Sequence, residues 1–271
     1  MDKIRITLAG ATGWAGSALA KAIGRQEDLA LVAAVSRKSA GSDLGVALSD
    51  SGISCPVFAS AQEALKTPSD VFFEYTKPDA AKQNIQAALA AGRHVVIGTS
   101  GLTSDDYTEI DEGAKIAGRG VLAVGNFALT VVLLQKFAEI AARYVDHWEI
   151  LDYAHSDKID APSGTTRELA HRLSRIKYPK MSVPLDTIRG EPSTRGATVS
   201  GSQIHSLRLP GYVIGAEIIF GMPDQKLIMR HEAGSSAEPY VAGALLAIRK
   251  VSTFVGLRRG LDSVMDLWKT A

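Results

Sequence analysis

At 271 residues, with 46% apolar and 22% charged side chains, the chain is long enough for one large domain or two moderate ones and has the composition of a soluble globular protein. A net charge of +1 without any long run of Lys and Arg gives no reason to expect nucleic acid, and no apolar run approaches the roughly 20 residues that span a bilayer. The single cysteine, Cys55, excludes an intrachain disulfide and points to a reducing compartment, the cytoplasm; the charged first six residues do not read as a cleavable signal.

Residues 4–9 form a short β-branched run that turns directly into Gly10-Ala11-Thr12-Gly13-Trp14-Ala15-Gly16, and a helical pattern follows over 17–23. Strand, glycine loop and helix are the context of a dinucleotide-binding turn, in which glycines let the backbone approach a pyrophosphate at the helix N-terminus. The competing reading is a plain turn between strand and helix. A second strand over 29–35 ends in Ser36-Arg37-Lys38, where an NAD enzyme carries an acid for the ribose hydroxyl. A hydroxyl and two cations suit a 2′-phosphate instead, so Arg37 and Lys38 favour NADP; otherwise they are solvated loop charges. Cys55, before Pro56 in an apolar stretch, reads as structural.

Further strands are expected over 70–75, 93–97 and 120–124, and helices over 79–91 and 104–115. In a parallel sheet all strand ends of one sense meet one crevice, which makes Thr76, Thr99, Ser100 and Asn126 candidate neighbours of the nicotinamide and its ribose. Beyond a long apolar helix over 129–144 the pattern changes. Strands over 197–201, 203–209, 212–220 and 226–231 succeed one another without helices, which predicts an antiparallel or mixed sheet and a second domain. A small-residue helix over 238–253 follows.

Between these regions the apolar run 148–151 gives way to His155-Ser156-Asp157-Lys158-Ile159-Asp160-Ala161-Pro162-Ser163-Gly164-Thr165-Thr166. Residues 166–173 have helical spacing, so Ser163, Gly164 and Thr165 open a helix whose unpaired amides suit a carboxylate or phosphate. Lys158 adds a full positive charge. The bland alternative is a capped surface loop. The six histidines are scattered without ligand spacing, so no metal is expected, and His205 and His231 read as strand residues with satisfied side chains.

Lys158-Ile159-Asp160-Ala161-Pro162-Ser163-Gly164-Thr165 resembles the 4-hydroxy-tetrahydrodipicolinate reductase family, also called dihydrodipicolinate reductase, of lysine and diaminopimelate synthesis. The resemblance runs nearly end to end, through the glycine loop, Glu74-Tyr75-Thr76-Lys77-Pro78, Gly98-Thr99-Ser100-Gly101, Gly125-Asn126-Phe127, Thr194-Arg195-Gly196 and residues 204–211. It implies an α/β fold: a Rossmann-type parallel-sheet domain over 1–126 and 237–271, and an α+β substrate and oligomerisation domain with a mixed sheet over 127–236. It also implies a homotetramer and hydride transfer from NADPH, or NADH, to a carboxylated cyclic imine. The cofactor set is then Gly10, Ala11, Thr12, Gly13, Trp14, Ala15, Arg37, Lys38, Tyr75, Thr76, Gly98, Thr99, Ser100, Asn126 and Phe127. Ser100, His155, Lys158, Ser163, Gly164 and Thr165 hold the substrate, with Lys158 and His155 as catalytic candidates.

The chain also departs from the family. The first of its paired histidines, the usual general acid, is Ala154, and a methyl group donates no proton. His155, Lys158 or a water replaces it, or the reaction differs. Glu74 stands for a shorter Asp, Thr130 and Val132 for a loop Gly and Asn, and an Arg is missing from residues 231–237. Two alternatives stay open: a paralogous reductase of another carboxylated imine or carbonyl compound, and a non-catalytic NADP-binding sensor.

Overall fold

Runs of Val, Ile, Phe and Ala too apolar for a half-exposed strand fold as parallel strands buried by helices, and this rule shapes the first part of the chain. The structure, a computed structural model, describes residues 2–267; Met1 and residues 268–271, the ends of the expected cofactor domain, lie outside the described residues. The chain forms two units, Met1–Ala128 with Ala237–Ala271 and Leu129–Ser236.

In chain order, unit 1 contains β1 (Ile4–Ala9), α1 (Trp14–Gly24), β2 (Leu29–Val35), α2 (Leu44–Leu48), β3 (Val57–Phe58), α3 (Ala61–Ala64), β4 (Val71–Glu74), α4 (Pro78–Ala90), β5 (His94–Ile97), α5 (Ser104–Ala117) and β6 (Gly120–Ala123). Unit 2 comprises α6 (Leu129–Tyr144), β7 (His147–Ala154), α7 (Gly164–Ser174), β8 (Ala197–Val199), β9 (Ser202–Arg208), β10 (Ile214–Met222) and β11 (Gln225–Ala233), after which α8 (Glu238–Lys250) and β12 (Gly256–Arg259) complete unit 1.

Unit 1 is a Rossmann-type sheet with the order β12-β6-β5-β4-β1-β2-β3, every pairing parallel. The order reverses between β1 and β4, the switch point at which such sheets open a crevice. Phe72 and Phe73 of β4 are fully buried at its centre. The sequence reading did not contain β3, β12, α2 or α3, because pieces of two to five residues show no periodicity. The helix expected to reach residue 253 ends at Lys250 and tightens into a 3₁₀ turn over Val251–Thr253. Cys55 is buried, and that burial pushes its thiol up to about 12, so it is unreactive.

Unit 2 is a mixed five-stranded sheet, β11-β10-β7-β9-β8, in which only β7 and β9 run parallel. The run 148–151, left unassigned in the sequence reading, is the middle of its central strand β7. Trp148 and Ile150 point from β7 into a core with Ile218 and Phe220 of β10, Leu134 and Ala138 of α6, and Leu169 and Leu173 of α7. The Trp148 indole N–H donates to Ser202 Oγ at 3.0 Å, so its polar edge is satisfied. Strand β8 stops at Val199, short of the expected residue 201, because Ser200 (φ 47°) and Gly201 (φ 82°) make the two-residue turn to Ser202. Strand β10 starts at Ile214, after a turn at Gly211 with φ 95°. Thr130 and Val132, which stand for loop residues of the family, lie in the first turn of α6, within the helix expected over 129–144.

Truncating Phe220 to Ala is expected to destabilise the protein by about 3–5 kcal/mol, measured as a shift of the urea midpoint with an unchanged m-value.

Candidate active site

In unit 1 the carboxyl ends of the parallel strands carry the expected cofactor residues. Gly10 has φ 79°, and a Cβ there would stand 2.3 Å from the Tyr75 carbonyl oxygen; one on Gly16 would stand 2.1 Å from the Gly10 carbonyl oxygen. Both positions therefore require glycine, and the second brings α1 against the loop. Gly13, the N-cap of α1, offers no side chain to the first helical amides, which leaves Trp14 and Ala15 at an uncapped positive helix end. Thr12 and Ser36 share a hydroxyl hydrogen bond of 2.7 Å, which ties the glycine loop to the end of β2. Next to Ser36, Arg37 and Lys38 sit exposed in a 3₁₀ turn. An uncapped helix start beside a glycine loop, with two cations at the next strand end, fits a dinucleotide phosphate chain.

Glu74, at the end of β4, is fully buried. Its Oε1 accepts the Thr76 N–H at 2.7 Å, the Thr76 hydroxyl and the Thr99 hydroxyl at 3.3 Å, and its Oε2 accepts Asn84 Nδ2 at 2.9 Å. Thr76 and Thr99 are thus spent on this carboxylate. The Tyr75 ring packs 4.7 Å from Phe73 and 5.7 Å from Phe127, and burial raises its phenol above the ordinary value. Phe127 is itself buried and its ring lies behind Gly98, where a Cβ would stand 2.9 Å from Phe127 Cε2, while Ser100 is exposed. Asn126 Oδ1 accepts the Ala128 N–H at 2.9 Å, an Asx turn that sets the chain's exit from β6.

In unit 2 the polar stretch leaves β7 after Ala154, which is buried and whose carbonyl accepts the Leu209 N–H at 3.2 Å. His155 is exposed, its Nδ1 2.6 Å from Asp157 Oδ1. Lys158 Nζ lies 2.6 Å from Asp160 Oδ1, and this contact lowers the Asp160 carboxyl below its ordinary value. Ser163 caps α7 as expected, accepting the Thr166 N–H, but it is 1% exposed and its hydroxyl also faces Thr166 Oγ1 at 3.1 Å. Ser163 therefore works inward, and the surface of the helix opening is made by Gly164 and Thr165.

The sequence reading missed Asp152. This β7 carboxylate has no exposed surface and accepts Ser163 N–H at 3.0 Å, Thr166 Oγ1 at 2.9 Å, Ser206 Oγ at 3.1 Å and Arg208 Nη2 at 2.7 Å. Burial pushes it up, but the bonds from Ser163, Arg208 and Thr166 more than reverse that and hold it below the ordinary range. It could have been found in the sequence, because it falls in phase with the inward-pointing Trp148 and Ile150. His205 Nε2 lies 2.7 Å from Glu149 and His231 Nδ1 2.9 Å from the Thr130 hydroxyl, so both strand histidines are partnered. Among the described residues no group of three or more His, Cys, Asp or Glu could hold a metal ion.

Residues 4–127 match the family model described as dihydrodipicolinate reductase, N-terminus, and residues 130–265 that of its C-terminus. The chain belongs to the dihydrodipicolinate reductase family. Among the reductase's relatives, the 4-hydroxy-tetrahydrodipicolinate reductase of Desulfitobacterium hafniense is 35% identical, aligned over 98% of this chain and 100% of its own. That of Thermosynechococcus vestitus is 37% identical over 97% of each. A dipicolinate-bound dihydrodipicolinate reductase from a Paenisporosarcina species superposes with a TM-score of 0.86 at 29% identity, covering 97% of this reductase and 100% of that chain. Amine dehydrogenase from Mycobacterium smegmatis, 15% identical with a TM-score of 0.65 over 98% of this chain and 97% of its own, shares the fold. The family is one of reductases that use a nicotinamide cofactor.

Desolvation outweighs the hydrogen bonds from Thr76, Asn84 and Thr99 at Glu74, so its folded carboxyl lies above the ordinary value of 4.5. Its contribution to stability is therefore greatest below the unfolded pKa and is lost as pH rises through the folded one. Between about pH 4 and pH 7, the unfolding free energy of wild type minus that of Glu74→Gln is expected to fall; a flat difference in urea melts would contradict the raised carboxyl.

Proposed function

We propose that the protein reduces 4-hydroxy-tetrahydrodipicolinate with NADPH, in the cytoplasm and as a homotetramer, within lysine and diaminopimelate synthesis. One observation carries this reading: the turn Lys158–Thr165 presents an ammonium and the opening of α7 together, within a chain that matches the reductase family in both units. Lys158, Gly164 and Thr165 take a substrate carboxylate, Ser163 shapes the turn, and His155 completes the substrate set of unit 2.

Bound NADPH supplies the hydride. The loop from Gly10 to Ala15 holds its pyrophosphate at the start of α1, and Arg37 with Lys38 takes the 2′-phosphate, a group that NADH lacks. Tyr75, Thr76, Gly98, Thr99, Ser100, Asn126 and Phe127 form the wall for the nicotinamide and its ribose. Anchoring the carboxylate fixes the orientation of the imine. With Ala154 in place of the usual acid, His155 carries the proton at Nε2, its Nδ1 being engaged by Asp157. Ala154 is also what favours a second reading, a paralogue that reduces a different carboxylated imine or carbonyl compound.

The test is oxidation of NADPH with 4-hydroxy-tetrahydrodipicolinate generated in situ. Turnover of about 1–10³ s⁻¹ is expected, and Lys158→Ala is expected to lower kcat/KM about 100-fold. Wild type that binds NADPH but leaves this substrate untouched would move the assignment to the paralogue. Arg37→Ala is expected to raise the KM for NADPH about tenfold and leave that for NADH unchanged, read from initial rates with each cofactor.

A further inference from the structure

Asp152 is a fully buried carboxylate of unit 2 in direct contact with the acid-binding turn, and it accepts hydrogen bonds from the turn and from β9. Its Oδ2 accepts the Ser163 N–H at 3.0 Å and its Oδ1 the Thr166 hydroxyl at 2.9 Å, so two residues of the α7 opening are tied to β7. Arg208 adds a third tie from β9. Its Nη2 donates both to Asp152 Oδ2 at 2.7 Å and to the Asp160 carbonyl oxygen at 2.6 Å, pulling the middle of the turn toward the same carboxylate. The frame beneath is rigid. Asp152 and Ser206 are register partners on the paired strands β7 and β9, as are Ala154 and Arg208, and Ser206 donates to Asp152 at 3.1 Å.

We propose that Asp152 is a positioning residue for the reaction, setting the shape in which Lys158, Gly164 and Thr165 receive the substrate carboxylate. The inference rests on the reading of these residues as the acid-binding turn. Asp152 does not touch substrate. It acts by fixing where the Ser163 and Asp160 backbone stands, and so where the next amides and the Lys158 ammonium point. A displacement of about 1 Å in such a group costs on the order of 100-fold. Asp152 also supplies the negative charge that lets Arg208 lie 16% exposed beneath the turn.

The test compares the Kd of pyridine-2,6-dicarboxylate, the KM of the imine, kcat and the Kd of NADPH in wild type and variants. Asp152→Asn keeps the shape but loses the charge and one acceptor; the dicarboxylate Kd and the imine KM are expected to rise about 100-fold, with NADPH affinity unchanged and kcat changed far less. Because Asn leaves Arg208 without its ion partner, this variant can fail to fold. Thr166→Val removes one tie without touching a charge and is expected to weaken the dicarboxylate about tenfold, while Thr166→Ser, which keeps the hydroxyl, restores it. A purely structural role would lower the melting temperature of Thr166→Val and leave its dicarboxylate Kd unchanged, and that result, in wild type that binds the dicarboxylate, overturns the proposal while the assigned reaction stands. Wild type that binds NADPH but no dicarboxylate overturns the acid-binding turn itself, and this inference with it.

Discussion

A carboxylate withdrawn from water is stable only when its oxygens are met by donors, since an unmatched buried charge costs several kcal/mol. Two strand ends in this protein are built on that constraint. Glu74 closes β4 and Asp152 lies near the end of β7, and each gathers four donors from the loop that follows and from neighbouring elements. The loops they gather carry the residues proposed for the nicotinamide wall in unit 1 and for the acid-binding turn in unit 2. In both units a buried carboxylate dictates where the loop runs.

The two carboxylates differ in their company. All of the donors to Glu74 are neutral, and burial wins: its carboxyl is raised. Asp152 has the Arg208 guanidinium as well as a backbone amide and two hydroxyls, and these outweigh burial: its carboxyl is lowered. At Asp152 the bonds from Ser163, then Arg208 and Thr166, together exceed the effect of burial, whereas at Glu74 burial exceeds the bonds from Thr76, Asn84 and Thr99, which accounts for the opposite signs. Glu74 suits a loop built from hydroxyls. Asp152 suits the role proposed for its turn, which is to meet an anion, because the Arg208 charge beneath offsets the carboxylate.

Much of the architecture could be read from residue patterns. The unbroken apolar runs around Phe72, Val96 and Val121 announced a parallel sheet, and the successive strands after residue 197 announced a sheet of another kind. The glycine loop and the Ser163 cap were local signals, and both elements formed where their spacing placed them. Long-range partnerships were not legible. Nothing near Asp152 in the chain names Arg208, 56 residues away, as its ion partner, nor does the Ser163 hydroxyl declare that it turns inward to Thr166. The edge strand β12 depends on pairing with β6 rather than on any pattern of its own four residues. Asp152 was the missed opportunity, because a charged residue in phase with Trp148 and Ile150 has to be buried and therefore has to be partnered.

The hydroxyl pair Thr12–Ser36 bears on how the proposed cofactor site can change over time. Ser36 occupies the position from which a discriminating acid would select one dinucleotide over the other, yet it also moors the glycine loop to the sheet. On the proposed reading, selectivity and loop order are thus written into one side chain. A lineage drifting toward the other nicotinamide cofactor cannot alter the first without disturbing the second, unless Thr12 changes in step, and the two positions are expected to evolve as a pair.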